Sequence, residues 1–249
     1  KKNLKITILG AGSNTLFRDN GVKGAVVKLG NEFSYTKLVN KNILEVGAAT
    51  LDRKVANYAK ENNLENLEFL SCIPGSVGGA IVMNSGCYKN DISKVLLSIQ
   101  AIDKKKLSVI EIKKEDIKFS YRGTSLSDDL IIISAKLKGV LSVKEKIEKK
   151  QSYYIEKKKS SQPSQVKTCG STFKNLNEDE KAWKLIKEAG CEDFRVGDAM
   201  ISQKHCNFFV NNGNAKSSDI ETLINKVKKK VQEKTGVDLE LEIKIVGEK

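Results

Sequence analysis

The chain has 249 residues, 39% of them hydrophobic and 30% charged, with a formal net charge of +13. That length is enough for one large domain or, the better expectation, two smaller ones, and no apolar run nears the roughly 20 residues of a membrane span, so no membrane partner is expected. The positive charge is almost all lysine, with arginine only at Arg18, Arg53, Arg122 and Arg195 and no basic arm or repeated aromatic platform, which argues against nucleic acid and leaves a surface suited to attracting an anionic nucleotide.

Residues 4–9 form an apolar run too short for a signal-peptide core and without a cleavage site, so they read as a strand. Further strands, rich in Ile, Val and Leu, are expected at 25–29, 43–46, 98–103, 108–112 and 130–137, separated by glycine-rich turns. A helix over 52–63 would bury Val55, Ala56 and Ala59. Residues 142–159 read as a linker helix opened by the capping-box pair Ser142 and Glu145, and Ser160-Ser161-Gln162-Pro163-Ser164 breaks it.

The region beyond has a different texture. Asn177 and Glu180 are expected to cap a helix carrying Trp183, Leu185, Ile186 and Ala189, which Gly190 ends. Ser218 and Glu221 are expected to cap another, with Ile220, Leu223, Ile224, Val227 and Val231 on its apolar face and Gly236 as its stop. The last segment alternates Val237, Leu239, Leu241, Ile243 and Ile245 with Asp238, Glu240, Glu242 and Lys244, the pattern of a half-buried strand. The expected domains are therefore 1–140, a connecting helix and loop at 141–164, and 165–249, with the final strand able to return to the first lobe.

Chemistry is narrowed by what is scarce. The five cysteines, Cys72, Cys87, Cys169, Cys191 and Cys206, are odd in number and widely spaced, without zinc-ligand spacing, and read as reduced thiols. His205 is the single histidine, so a two-histidine metal site is impossible and no metal is expected. Two glycine-rich segments remain. Leu9-Gly10-Ala11-Gly12-Ser13-Asn14 follows a strand directly, which lets backbone N–H groups approach a phosphate, yet it lacks the third glycine of a dinucleotide fingerprint. Ile73-Pro74-Gly75-Ser76-Val77-Gly78-Gly79 continues to Met83-Asn84-Ser85-Gly86, and its bare backbone suits contact with something large and planar.

These segments, in order with Leu67-Glu68-Phe69, Phe119-Ser120-Tyr121-Arg122, Gly170-Ser171-Thr172-Phe173-Lys174-Asn175, Trp183 to Gly190, His205-Cys206-Asn207-Phe208 and 241–247, resemble the UDP-N-acetylenolpyruvoylglucosamine reductase family across essentially the whole chain. The resemblance implies an α+β protein: a two-lobed FAD-binding fold of the vanillyl-alcohol oxidase type with a smaller α+β substrate domain at the C-terminal end. It implies a cytoplasmic enzyme of cell-wall precursor synthesis in which FAD and NADPH reduce a UDP-sugar enolpyruvyl ether. By similarity Ser171 is the proton donor, with Arg122 and Glu242 at the substrate carboxylate. Gly10, Ala11, Gly12, Ser13, Asn14, Ile73, Pro74, Gly75, Ser76, Gly78, Gly79, Asn84 and Gly86 would bind the cofactor, and Tyr121, Lys174, Asn175 and Asn207 the substrate.

The departures are equally specific. The family's opening Thr-Ser-Phe and Gly-Gly segment is expected to precede residue 1. The family's Asn-Pro is Asn175-Leu176 here, and its Glu-Val-Arg is Glu242-Ile243-Lys244, which keeps a cation but loses bidentate geometry. The short interval between Arg122 and Ser171 is that of the family's form without the long tyrosine-bearing loop. Two other functions fit the residues themselves: another FAD oxidoreductase of the same fold, or a lysine-rich nucleotide-binding module without catalysis. Flavin absorbance after purification separates the enzymes from the module.

Overall fold

The structure, a computed structural model, describes residues 4–249. The chain divides into two compact units, one of residues 7–11 and 26–158, the other of 4–6, 12–25 and 159–249.

The first unit is organised by an antiparallel sheet whose strands run in the order Ser108–Lys113, Leu96–Asp103, Leu130–Lys138, Ile43–Gly47, Thr36–Asn40. Four of these contain the strands expected from sequence. The strand Thr36–Asn40, mostly exposed, was not expected, and its weak apolar content explains why. The expected strands at 4–9 and 25–29 shorten to Ile6–Ile8 and Ala25–Val27, which pair as a two-stranded ribbon. Helix α1 (Asp52–Glu61) buries Val55, Ala56 and Ala59 as expected, and with α2 (Val77–Val82) it closes a core built on Leu44, Val46, Phe69, Ile99 and Leu137.

Helix α3 (Lys144–Ser161) differs from a free-standing linker: through Lys158 it belongs to the first unit. Its buried residues Ile147, Gln151 and Tyr154 recur at helical spacing. Gln151 Nε2 donates to Asn57 Oδ1 of α1 at 2.8 Å, and the Tyr154 ring stacks on Tyr88 with centroids 4.7 Å apart. A seam made of one aliphatic, one amide and one phenol escapes a reading that counts apolar residues.

The second unit holds a four-stranded antiparallel sheet in the order Lys167–Ser171, His205–Asn211, Ala199–Ser202, Arg195–Val196. Helices α4 (Ala182–Glu188) and α5 (Ser217–Thr235) pack on it through Ile186, Leu223, Ile224, Val227 and Val231. Gly190 and Gly236 follow them with φ of 68° and 75°, the left-handed geometry that stops a helix.

Both expected N-caps are corrected. Asn177 Oδ1 accepts from the N–H groups of Asp179 and Glu180, a turn complete in itself, whereas the Ala182 N–H of α4 is taken by Asn175 Oδ1 at 3.1 Å. At α5 the N–H groups of Ser217 and Ser218 donate to the carboxylate of Asp19 at 2.8 and 3.0 Å, and Glu221 is held instead by Arg18 in a bidentate pair at 2.8 and 2.9 Å. A cap supplied from 198 residues away leaves no local signature; the local contribution comes from Asp219, whose carboxylate accepts from Lys216 N–H at 2.9 Å.

The terminal segment keeps its alternation, with Leu239 and Ile243 buried and Asp238, Glu240 and Lys244 exposed; Glu242 alone on the polar side is half-buried. Its strand is confined to Lys244–Val246, which pairs in parallel with Thr15–Phe17. That partner comes from the first 140 residues of sequence but lies within the same compact unit.

Candidate active site

In the first unit the two glycine segments meet. A Cβ on Gly10 would stand 2.8 Å from Ser76 Oγ and 3.8 Å from the Gly79 backbone, so side-chain-free residues are what allow this approach. The 73–79 loop is laced to residues 48–52: Asp52 N–H donates to Gly75 O at 3.1 Å, Val77 N–H to Thr50 O at 2.9 Å, and Gly78 N–H to Ala48 O at 2.9 Å. Gly78 owes its lack of a side chain to Ala48, whose Cβ would be 3.2 Å from an added Cβ, whereas Gly79 would meet only Ser76 Oγ at 3.9 Å. The Ser76 hydroxyl is buried and, among the described residues, has no hydrogen-bond partner. A buried hydroxyl left without a partner costs roughly 1–3 kcal/mol unless a ligand satisfies it. An orphan hydroxyl beside an open glycine flank fits a cofactor bearing phosphate and ring oxygens.

Asp52 adds a second buried group of this kind. Both its carboxyl oxygens lack a partner among the described residues, and burial pushes its pKa well above the usual carboxylate range, so it is held as the neutral acid. Nothing in the sequence marks it apart from any other acidic residue in a first helical turn.

Asn84 and Gly86 tie this loop to a hairpin. Asn84 Nδ2 donates to Ser120 O at 3.1 Å, and its Oδ1 accepts from Ser93 N–H at 3.0 Å. Gly86 lies so close to the returning strand Asn90–Asp91 that a Cβ would come 2.2 Å from Asn90 O. Arg122 donates from Nη2 to Gly86 O at 3.2 Å and sits 4.8 Å from the Tyr121 ring centroid. Tyr121 and Arg122 form the turn between the paired strands Phe119–Ser120 and Gly123–Thr124, and Arg122 has a φ of 58°. A left-handed arginine is a strained choice of the kind that clusters at functional sites.

In the second unit Ser171 is the last residue of the strand Lys167–Ser171, whose pairing with His205–Asn211 slips between Thr168 and Ser171. Gly170 occupies this bulge with φ of 85°. Thr168 locks it: its hydroxyl donates to Phe209 O at 2.7 Å and accepts from Gly170 N–H at 3.2 Å. A bulge re-aims the side chain that follows it, here Ser171, which is half-buried. A threonine two residues before a strand glycine is the sequence signal for this feature, and it was missed.

The rest of the motif is braced from both sides. The side-chain amide of Asn207 spans the Phe173 backbone, accepting from its N–H at 2.9 Å and donating to its carbonyl at 2.8 Å. Lys174 N–H donates to Glu240 O at 2.8 Å, and its ammonium meets the Glu240 carboxylate at 3.2 Å. Glu242 N–H donates to Thr172 O at 2.9 Å while Asn14 Nδ2 donates to Glu242 O at 2.9 Å, so Gly12-Ser13-Asn14, the Ser171 segment and Glu242 share one neighbourhood. An added Cβ on Gly170 would lie 3.7 Å from Ser13 O. Ser171 and Glu242 are thus brought together in one unit; Gly10, Ala11, the 73–86 segment, Tyr121 and Arg122 belong to the other.

His205 is structural in this setting. Its Nδ1 accepts from Asn207 N–H at 3.3 Å, its ring lies between Trp183 and Phe208, and burial pushes its pKa down, keeping it neutral. All five cysteines are free thiols, and among the described residues no group of three or more His, Cys, Asp or Glu side chains is placed to hold a metal ion.

Residues 162–246 match the family model of the UDP-N-acetylenolpyruvoylglucosamine reductase C-terminal domain, and residues 1–110 match that of an FAD binding domain. The UDP-N-acetylenolpyruvoylglucosamine reductase of Pelagibacter ubique is 47% identical over 97% of this chain and 80% of its own length. This chain belongs to the UDP-N-acetylenolpyruvoylglucosamine reductase family. The reductase of Orientia tsutsugamushi strain Ikeda is 44% identical over the whole chain and 82% of its own length. The crystal structure of the Thermus caldophilus reductase superposes with a TM-score of 0.87 at 34% identity, covering 98% of this chain and 86% of that one. The α+β architecture and the FAD-binding region expected from the sequence are those of the reductase family. Among the described residues no helix is long and apolar enough to cross a membrane.

Proposed function

We propose that Ser171, Arg122 and Glu242 carry the chemistry of the reductase, Ser171 as proton donor and the other two at the substrate carboxylate. The reaction is the NADPH-dependent, FAD-mediated reduction of UDP-N-acetylglucosamine enolpyruvate to UDP-N-acetylmuramate, a step of peptidoglycan precursor synthesis. When bound, FAD supplies the hydride that NADPH provides. Gly10 to Asn14 and Ile73 to Gly79 would hold it, with the Ser76 hydroxyl gaining the partner it lacks.

The remaining work falls to side chains. Hydride arriving at the terminal carbon of the enolpyruvyl group leaves negative charge on the neighbouring carbon and its carboxylate, which calls for a cation and an acid at that point. Arg122 is the cation, and its guanidinium suits bidentate contact with a carboxylate. Ser171 delivers the proton from its bulge, and Glu242, fixed through its backbone by Thr172 and Asn14, orients the group that accepts it. A serine hydroxyl is a weak acid, so Lys174 or a bound water assists it. Lys174 and Tyr121 contact the UDP-sugar, while Asn175 and Asn207 act as positioning residues, because Asn175 caps α4 and Asn207 braces Phe173. A UDP-sugar substrate places this chemistry in the cytoplasm.

The observation that carries the assignment is the Gly170 bulge: strand, threonine and glycine are all spent on the direction of one serine. The test separates two half-reactions. In Ser171→Ala, flavin reduction by NADPH should stay near its normal rate, while oxidation of reduced flavin by the enolpyruvyl substrate should slow by about 10²-fold to 10⁴-fold. Ser171→Cys, with a more acidic proton in nearly the same place, should retain more activity than Ser171→Ala. Stopped-flow absorbance follows each half-reaction; equal slowing of both in Ser171→Ala would move the proton donor elsewhere.

A further inference from the structure

Two cysteines of the first unit flank the glycine-rich segment 73–86. Cys72 ends the short helical turn Glu68–Cys72 and Cys87 ends the short strand Gly86–Cys87, and these elements pack on each other. The Cys87 thiol donates to Phe69 O at 3.4 Å, in the same turn that carries Cys72. Each thiol is the strongest influence on the other's ionisation. Lys158, at the end of α3, is largely buried, donates to Cys72 O and acts on both thiols by charge. The Ser71 hydroxyl lies 3.7 Å from Cys72 Sγ. A buried ammonium, a hydroxyl and two thiols are therefore gathered at one point, and the reductase chemistry uses none of them.

We propose that Cys72 and Cys87 are a redox pair that closes to a disulfide under hydrogen peroxide, cross-linking the two ends of the glycine-rich segment 73–86.

The two sulfurs have different tasks. The neighbouring Cys87 thiol, Ser71 and the Lys158 ammonium together draw the Cys72 thiol below its ordinary value against the opposing effect of burial, which makes Cys72 the nucleophile. Cys87 is held protonated, its pKa pushed up chiefly by the neighbouring Cys72 and by burial, and its proton rests toward Phe69 O. Cys72 is only 6% exposed, which favours an oxidant little larger than water over a bulky disulfide.

The Cys72 thiolate attacks one oxygen of hydrogen peroxide; an S–O bond forms, the O–O bond breaks, and the departing hydroxide takes the proton that Cys72 gave up. The Cys87 sulfur then displaces hydroxide from the Cys72 sulfenic acid, forming the S–S bond, and its proton leaves with that hydroxide as a second water. Two thiols lose two electrons and peroxide becomes two waters.

The closed loop contains Pro74 to Gly79, Asn84 and Gly86, and Gly86 O is the acceptor of Arg122 Nη2. Holding both ends of the segment restricts its opening. That the restricted segment retains flavin more tightly rests on the reading of this loop as the cofactor cradle; the disulfide itself does not.

Holoenzyme is treated with hydrogen peroxide, the remaining thiols are alkylated, and the digest is mapped by mass spectrometry. The expected product is a Cys72–Cys87 cross-linked peptide lighter by two hydrogens, removed by dithiothreitol, absent in Cys72→Ser and Cys87→Ser, and present in Cys191→Ser. Its rate of formation in the wild-type chain should rise with an inflection below the roughly 8.5 of an ordinary thiol, and Lys158→Gln should move that inflection upward. Flavin release from the oxidised form, followed by fluorescence, should slow several-fold. A Cys72 sulfinic or sulfonic acid without the cross-link, or disulfides scattered over other cysteines, would overturn the pair. A cross-link with unchanged flavin release would leave the pair standing and remove the cradle reading of the segment.

Discussion

Ser76 shows how one side chain can oppose folding and serve binding. Its hydroxyl is buried beside Gly10 and Gly79 with no partner among the described residues, so Ser76→Ala removes an unmet polar group from the flavin-free protein. The variant is expected to raise flavin-free stability by about 1 kcal/mol while weakening flavin binding by roughly tenfold, the equivalent of about 1.4 kcal/mol. Urea unfolding of the flavin-free form and flavin titration give the two signs separately. A loss of stability together with normal flavin affinity would show that Ser76 serves the fold alone. At this scale the sequence reached the glycines but treated them as one group. Gly79 keeps an open flank, Gly78 yields to Ala48, and Gly86 yields to its own hairpin. Only the folded backbone distinguishes those reasons, because a glycine carries no side chain that would reveal its neighbour.

At the scale of elements, strands dense in Ile, Val and Leu were legible to within a few residues, while caps, turns and the extent of the alternating terminal strand, confined to Lys244–Val246, were not. The hairpin Gly86–Cys87 to Asn90–Asp91 turns through Tyr88 and Lys89 with φ of 51° and 63°, and neither residue announces a left-handed turn. Tyr88 is retained by its stack on Tyr154 and its hydrogen bond to Tyr154 O at 3.2 Å. Lys89→Gly should therefore stabilise the protein by about 0.5–1 kcal/mol, the left-handed strain relieved less the added freedom of the unfolded glycine. A lower urea midpoint in this variant would mean that the lysine side chain earns its place by a contact. The N-terminus of α5 behaves differently, since its cap is ionisable. Backbone hydrogen bonds from Ser217 and Ser218 hold the Asp19 carboxyl down at about 2, below the roughly 3.9 of an unfolded aspartate. A depressed folded value means stability that is complete above about pH 4 and is lost as pH falls through about 2. Asp19→Asn keeps an acceptor but not the charge, so its stability should fall less steeply than wild type over that window. Identical acid limbs in the two proteins would show that Asp19 contributes no pH dependence.

For the whole molecule, the sequence placed the change of texture near residue 160 but not the return of 12–25 to the second unit. Composition has no means of showing this, because the contacts are few and each is specific. Thr15–Phe17 pairs with Lys244–Val246, Asn14 donates to Glu242 O, Arg18 grips Glu221 and donates to Gly247 O at 3.1 Å, and Asp19 caps α5. Leu16 packs on the core that contains Phe173, Leu223 and Ile243. Without 12–25 the strand Lys244–Val246 has lost its pairing partner, the N–H groups of Ser217 and Ser218 face water, and Glu242 is unpinned on one side. Those losses fall on the segment that carries Ser171 and Glu242, so foldability and the proposed site depend on the same fourteen residues. A fragment of residues 159–249 is expected to show helical far-ultraviolet circular dichroism from α5 but weak near-ultraviolet signal and a broad thermal transition. Adding a synthetic peptide of residues 12–25 should sharpen that transition and raise its midpoint in a saturable way, and the same peptide carrying both Arg18→Ala and Asp19→Ala should do so only at much higher concentration. If the fragment alone melts cooperatively and the peptide changes nothing, residues 159–249 hold their own fold and the returning segment only decorates it.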